Sequence, residues 1–120
     1  MQNYRRLSVW RKAHAVALNI HGLTERIPQR RCAGLVSQLQ RAALSIPANI
    51  AEGASRATDK DFAKFLQVAL ASTTEVEYHL EFAADAAIIP HSEFSLRQQE
   101  LIEVRRMLTG LVKHLRQADR

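Results

Sequence analysis

Apolar residues recur at intervals of three and four along most of the chain, the spacing of a helix that buries one face. The recurrence divides into four runs and predicts helices over residues 8–27, 32–51, 59–87 and 92–117. The third run is the clearest, with an apolar face that extends from Phe62 to Ala87. No stretch alternates apolar and polar residues as a half-buried strand does, so the pattern predicts an all-α protein.

Short connections join these runs at about residues 28–31, 52–58 and 88–92. Four long helices with short connections favour an antiparallel up-down-up-down four-helix bundle, because neighbouring helices can then bury their apolar faces without long crossings. A length of 120 residues is that of one domain. The sequence therefore predicts a single bundle domain over residues 1–120.

A polar row beside the apolar face of the second predicted helix surrounds Pro47. Because proline lacks the N–H that a helical turn needs, its position inside this run predicts a kink. Ser45, Asn49 and Glu52 lie on either side of Pro47, and Gly53 follows as the predicted helix stop. We interpret the three polar side chains as hydrogen-bond partners of the interrupted turn, with ligand binding as the alternative.

The composition is that of an ordinary globular protein, with 47% hydrophobic and 24% charged residues. A lone cysteine excludes an internal disulfide framework, and no run has the length of apolar residues that a membrane helix needs. The basic residues at the start of the chain are not followed by an apolar stretch, which argues against a secretory signal. These features predict a cytoplasmic protein without a membrane segment.

The net charge of +5 is distributed unevenly along the chain. Residues 1–60 carry a balance of about +7 and residues 61–120 about −2, counting lysine and arginine against aspartate and glutamate. Such an asymmetry suits a surface that attracts a polyanion. It equally suits subunits that meet basic face to acidic face, or a solvated surface that is merely basic.

Two groups of residues lie outside the predicted core. Basic residues cluster near the start of the chain and in the fourth helix, and an antiparallel bundle brings the beginning of the first helix and the end of the fourth to one end. This group is a candidate surface for nucleic-acid phosphates: Arg5, Arg6, Arg11, Lys12, Arg105, Lys113 and Arg116. The second group forms a lengthwise strip on the outer side of the third helix and is a candidate oligomer interface: Val68, Ala71, Glu75, Tyr78 and Phe82.

Familiar catalytic and metal-binding patterns are absent from the sequence. Di-iron bundles need Glu-x-x-His pairs on two helices, whereas Glu75 and Glu77 precede His79 by four and by two residues. Cys32 has no evident base partner, and the four glycines are too scattered for a phosphate-binding loop. The sequence therefore predicts a protein that is not an enzyme and that holds no metal or cofactor.

A distinctive segment lies at residues 37–53, SQLQRAALSIPANIAEG. It resembles the signature of the bacterial four-helix bundle proteins first noticed as reading frames in intervening sequences of large-subunit ribosomal RNA genes. Similarity extends to VWRKAH at residues 9–14, to FLQVA at 65–69 with EVE at 75–77, and to RRMLTGL at 105–111. The resemblance thus covers nearly the whole chain, and it implies distant kinship with the accessory variability proteins of diversity-generating retroelements.

The resemblance implies a left-handed bundle that assembles into a ring-like homopentamer, with basic surfaces that engage nucleic acid. This chain departs from the family pattern at Ala71, where many relatives carry glycine, and at residues 54–56, which replace an aromatic and basic run. The accessory variability proteins engage a reverse transcriptase as well as nucleic acid, but the kinship to that subgroup is distant, so partnership with a reverse transcriptase is not carried over. We expect a homo-oligomeric accessory or scaffold protein that binds RNA or DNA. The alternatives are a protein–protein adaptor that docks an acidic partner and, third, an enzyme with a site between subunits.

Overall fold

A computed structural model describes residues 2–118, which form four helices after one 3₁₀ turn at Tyr4–Arg6. In chain order the helices are α1 (Ser8–Glu25), α2 (Gln29–Ala54), α3 (Asp59–Asp85) and α4 (His91–Ala118). Each helix packs against two others, in the cyclic order α1, α2, α3, α4, within a body of 49 × 21 × 19 Å. The prediction of an all-α four-helix bundle is confirmed.

One apolar core runs the length of the bundle, and every helix contributes to it at the predicted spacing. The largest apolar side chains excluded from solvent are Ile20, Leu39, Ile46, Ile50, Leu66, Leu80, Leu101 and Leu108. Burial of one such side chain stabilises the fold by about 1.5–3 kcal/mol, which is why four amphipathic helices close into one body. Within residues 2–118, no helix carries an apolar stretch long enough to span a membrane.

The helix boundaries on either side of Pro28 differ from the predicted ones. α1 ends at Glu25, before the predicted residue 27, because the chain tightens into a turn that leads into the proline. α2 begins at Gln29 rather than at residue 32, because a proline that precedes the first turn has no N–H to leave unpaired. The backbone of α2 leaves the helical range at Cys32 (φ −128°, ψ 24°), where the helix was predicted to begin.

The far ends of α2 and α3 also differ from the prediction. α2 continues past residue 51 to Ala54, since Gly53 keeps a negative φ and does not terminate the helix. α3 ends before residue 87, because Ala87 adopts the left-handed conformation (φ 59°). The N–H of Ile88 then donates to the carbonyl of Ala83 (2.8 Å), a closure in which glycine usually takes the left-handed position. Ala87 is exposed, not part of the apolar face as predicted.

Polar side chains close the seam between α1 and α4, the least extensive of the four helix–helix contacts. The buried Arg97 pairs with Glu100 on its own helix (Nη1–Oε1, 2.7 Å). Asn19 of α1 donates to the second oxygen of the same carboxylate (Nδ2–Oε2, 2.9 Å). This carboxylate therefore joins α1 to α4 and keeps the buried guanidinium paired.

Candidate nucleic-acid interface

Two members of the polar row around Pro47, Ser45 and Asn49, form one hydrogen-bonded unit with Ser72 of α3. The side chain of Asn49 donates from Nδ2 to the carbonyl of Ser45 (2.8 Å) and to its hydroxyl (2.9 Å), so it bridges the turn that lacks the Pro47 N–H. The Ser45 hydroxyl shares a further hydrogen bond of 2.8 Å with the hydroxyl of Ser72 on α3. These contacts reinforce α2 and fasten it to α3, which is the role that the structural interpretation assigns to them.

Pro47 lies inside α2, at the point where a kink was predicted. α2 keeps helical torsion angles there, held by the side-chain bonds across the turn, and departs from them at Cys32 instead. Glu52 takes no part in this turn, since its carboxylate pairs with Arg56 (Oε1–Nη2, 2.5 Å). The Arg56 guanidinium lies 4.7 Å from the ring centre of Phe65, a cation–π contact with α3. Glu52 therefore helps to hold the connection between α2 and α3.

Gly53 lies at a close approach between α2 and α3. A Cβ atom at this position would lie 2.8 Å from the Phe65 Cβ, 2.8 Å from the Phe62 Cδ1 and 3.2 Å from the Phe62 carbonyl oxygen. Protein interiors do not accommodate carbon atoms so close together without movement. Gly53 is thus a packing residue, whereas the sequence had suggested a helix stop.

The basic residues near the start of the chain lie on the α1/α2 side of the bundle. The N–H of Gln2 donates to the carbonyl of Ala54 (2.8 Å), which fastens the first residues to the end of α2. Arg11 donates to the carbonyl of Arg5 (Nη1–O, 3.1 Å) and so holds the 3₁₀ turn against α1. Among the described residues, this turn contacts α1 and α2 but not α4. The side chains left wholly or partly exposed in this group are Arg5, Arg6, Arg11 and Lys12.

Lys113 and Arg116 lie at the same end of the bundle but between α3 and α4, where they line a groove of about 340 Å³ with Gln67. The basic group predicted as one neighbourhood is therefore divided between two faces. A second groove of about 340 Å³ adjoins the first at Gln67 and Arg116. Lys60 and Lys64 of α3 line this second groove.

The two grooves together bring four exposed cations into one place, called the cationic groove below: Lys60, Lys64, Lys113 and Arg116. Asp59 lies in the lining, and Asp61 lies 4.0 Å from Lys64, so the cations outnumber the nearby carboxylates. The sequence prediction missed Lys60 and Lys64. Their spacing of four places them on one side of a helix, and the antiparallel order sets the start of α3 beside the end of α4.

Arg105 lies apart from both basic groups, in the seam between α3 and α4. Its guanidinium pairs with Glu77 (Nη2–Oε1, 2.5 Å) and donates to Thr73 (Nε–Oγ1, 3.2 Å). A hydrogen bond from Gln98 lowers the pKa of Glu77 below its ordinary value; burial opposes this effect, and Arg105 adds to it. Arg105 is therefore a half-buried seam residue, and the structure does not place it on the exposed basic surface where it was predicted.

The outer strip of α3 is exposed along its length and consists of Val68, Ala71, Glu75, Tyr78 and Phe82. Tyr78 is 61% exposed and Phe82 50%, so the folded chain leaves a lengthwise apolar surface uncovered. At the edge of the strip Glu75 lies 3.5 Å from His79 (Oε1–Nε2). No group of three or more metal-ligating side chains occurs in residues 2–118.

Known proteins resemble this chain in both sequence and fold. The family described as the 23S rRNA-intervening sequence protein matches residues 5–110. Among solved structures, the chain is similar to a protein of unknown function from the S23 ribosomal protein family of Bacteroides thetaiotaomicron VPI-5482, with a TM-score of 0.79 and 25% sequence identity. That similarity covers 88% of this chain and 98% of the other. No curated protein matches the sequence.

Proposed function

The chain belongs to the 23S rRNA-intervening sequence protein family, and from this premise we propose that it is a non-enzymatic, homopentameric accessory or scaffold protein of the cytoplasm that binds nucleic acid. Phosphates of RNA or DNA are the ligands of its basic surface. The observation that carries this proposal is the cationic groove, in which side chains from two helices converge at one end of the bundle. Arg5 and Arg6 extend the positive charge of that end on the α1/α2 side.

The lining of the cationic groove suits phosphates rather than bases. Gln67, Thr109 and Gln117 add neutral hydrogen-bonding groups to the cations. Within residues 2–118, no aromatic side chain on which a base could stack lines either groove. Binding through such a surface is independent of nucleotide sequence. It weakens with salt, because each phosphate contact releases condensed counterions and contributes about −0.7 to −0.9 to the slope of log K against log salt.

The test is fluorescence anisotropy with labelled RNA and DNA of mixed sequence, titrated at several salt concentrations. The variant Lys113→Gln/Arg116→Gln should weaken binding to every sequence and reduce the salt slope by about 2, roughly 1 per cation removed. Arg30→Gln/Arg31→Gln is the matched control, because it removes two exposed charges at the start of α2, at the opposite end of the bundle. Equal affinity in the first variant and the wild type would remove the groove from the proposal.

The adaptor alternative gives a different result in the same preparation. If the basic surface docks an acidic protein, the purified protein carries a stoichiometric protein partner and the labelled nucleic acids do not bind. If the surface binds nucleic acid, the protein co-purifies with absorbance at 260 nm that nuclease removes. The first result would replace the proposal with the adaptor function.

The outer strip of α3 supports the homo-oligomeric part of the proposal, since contiguous exposed apolar surface marks interfaces. Light scattering should give a particle of five times the 13.6 kDa chain mass. Tyr78→Glu should dissociate it, because a carboxylate would then lie in an apolar contact. Ile102→Glu on α4 is the control, since Ile102 is 41% exposed but lies outside the strip. A monomeric wild-type protein would contradict the proposal.

A further inference from the structure

A second apolar surface lies between α1 and α2, where a groove of about 410 Å³ runs between the helices. The buried Ala17 and Ala43 form its floor, and Leu18 and Leu44 form its sides. Leu18 is 58% exposed and Leu44 63%, so both leucines remain largely in solvent in the single chain. His14, His21 and Gln40 complete the lining. This α1/α2 groove and the outer strip of α3 are two different apolar surfaces on one chain.

The border of the α1/α2 groove carries two arginines and one carboxylate, Glu25, which lies beside His21 (Oε1–Nε2, 3.6 Å), so its net charge is positive. Arg11 lies two turns before Leu18 on the same face of α1, and Arg41 lies one turn before Leu44 on the same face of α2. Both arginines are exposed. Because α1 and α2 are antiparallel and Thr24 lies against Gln40, the two arginine backbones are about 18 Å apart along the bundle axis.

The outer strip of α3 is bordered by negative charge. Glu75 precedes Tyr78 by three residues and Asp85 follows Phe82 by three, so the two carboxylates flank the two aromatic side chains on one face. Both carboxylates are exposed, and their backbones are about 15 Å apart along the helix. The spacing of the two carboxylates, about 15 Å, and the spacing of the two arginines, about 18 Å, differ by about 3 Å, which is less than the length of one arginine side chain. Apolar centres and flanking charges are therefore complementary between the two surfaces.

We propose that the outer strip of α3 of one subunit occupies the α1/α2 groove of the next subunit. This inference rests on the proposed homo-oligomer and assigns its two contacting surfaces. Two different patches on each chain form a heterologous contact, which repeats head to tail and closes into a ring when the rotation allows. The basic first half of each chain then faces the acidic second half of its neighbour. Arg11 lies in this contact, which leaves Arg5 and Arg6 as the N-terminal cations for phosphates.

Disulfide trapping tests this arrangement. In a Cys32→Ser background, Leu18→Cys and Tyr78→Cys are made on separate chains, mixed after dissociation in mild denaturant, reassembled and oxidised with copper phenanthroline. Both side chains are exposed, so the substitutions leave the core intact, and circular dichroism verifies the fold. The expected result is a covalent dimer in the mixture and none with either variant alone. A chain that carries both substitutions should give a ladder that ends at the subunit number of the ring.

A matched mixture of Leu18→Cys with Ile102→Cys controls for random collision, because Ile102 is exposed on α4 outside both surfaces. Dimers of Tyr78→Cys with itself would overturn the inference in favour of a strip-to-strip contact. An assembled particle without any cross-link between Leu18→Cys and Tyr78→Cys would overturn it while leaving the proposed oligomer intact. A wild-type monomer in light scattering would overturn the oligomer and the inference together.

Discussion

Replacement of Gly53 by alanine tests whether the signature segment of α2 is a packing element. In an open helix interior this change is favourable, because alanine exceeds glycine in helix propensity by about 1 kcal/mol. At Gly53 the added Cβ would meet the Phe65 Cβ at 2.8 Å. That atom is bonded directly to the backbone of α3, so rotation of the phenyl ring does not relieve the contact. The two helices must move apart.

The expected magnitude follows from these opposing effects. Overpacking of a closed contact costs about 1–3 kcal/mol, and the propensity gain is reduced because Gly53 lies next to the last residue of α2. We therefore expect Gly53→Ala to lower the free energy of unfolding by about 1–2 kcal/mol. For a chain of 120 residues, this corresponds to a fall in Tm of roughly 4–8 °C.

The assay is urea and thermal unfolding, followed by circular dichroism at 222 nm at one fixed protein concentration, because oligomerisation shifts apparent stability. Gly110→Ala is the matched control. It lies inside α4, and a Cβ there would meet no heavy atom within 4 Å beyond its chain neighbours and the nearby backbone of its own helix, so this variant should gain about 0.5–1 kcal/mol. The two substitutions should have opposite signs. If Gly53→Ala stabilises the protein as Gly110→Ala does, the close approach of α2 and α3 is refuted.

Three further substitutions test individual contacts by the same unfolding measurement. Glu77→Gln should cost about 1 kcal/mol at pH 7, because Arg105 loses its charged partner. The pKa of folded Glu77 lies below the ordinary value of 4.5, so this stabilisation is complete above that pH and is lost as the pH falls through the folded pKa. A difference from wild type that does not diminish as the pH is lowered from 4.5 would contradict the assignment. Asn49→Ala should cost about 1–2 kcal/mol by removing both bonds to Ser45, and an unchanged midpoint would show that Pro47 needs no support. Ala87→Gly should gain about 0.5–1 kcal/mol, since glycine adopts a positive φ without strain, and a loss of stability would argue against that backbone conformation.

The fold followed from the sequence because four apolar faces with helical spacing admit few compact arrangements. The helix boundaries were harder to predict, since the same residue type can occur at the start of a helix, at its end or in a packing contact. Pro28 is compatible with the end of one helix and with the start of the next. Ala87 takes a left-handed conformation without the glycine that usually signals it. Glycine commonly terminates helices, whereas the close contact of Gly53 with α3 exists only once the two helices have packed together.

Members of the candidate surfaces could be predicted from the sequence where only their exposure on one helix mattered. The outer strip of α3 follows from position on the helix, so it was found at the sequence level. Arg105 was misplaced because its partner Glu77 lies on another helix, and pairing across a seam leaves no local pattern. Lys60 and Lys64 gain significance only beside Arg116, a contact that depends on how α3 and α4 align.

The seams of the bundle are closed by different means, and this difference bears on the proposed contact between subunits. Gly53 lets α2 and α3 approach closely, while charged side chains bridge from α4 to α3 and to α1. The seam between α1 and α2 is bridged by the hydrogen bond from Gln40 to Thr24 (2.9 Å), but Leu18 and Leu44 diverge into solvent beside it. Full burial of an exposed leucine stabilises a protein by about 1.5–3 kcal/mol, and Leu18 and Leu44, at 58% and 63% exposure, retain somewhat more than half of that as unrealised burial. In the proposed contact, a neighbouring copy covers the groove, and this remaining free energy would then contribute to assembly.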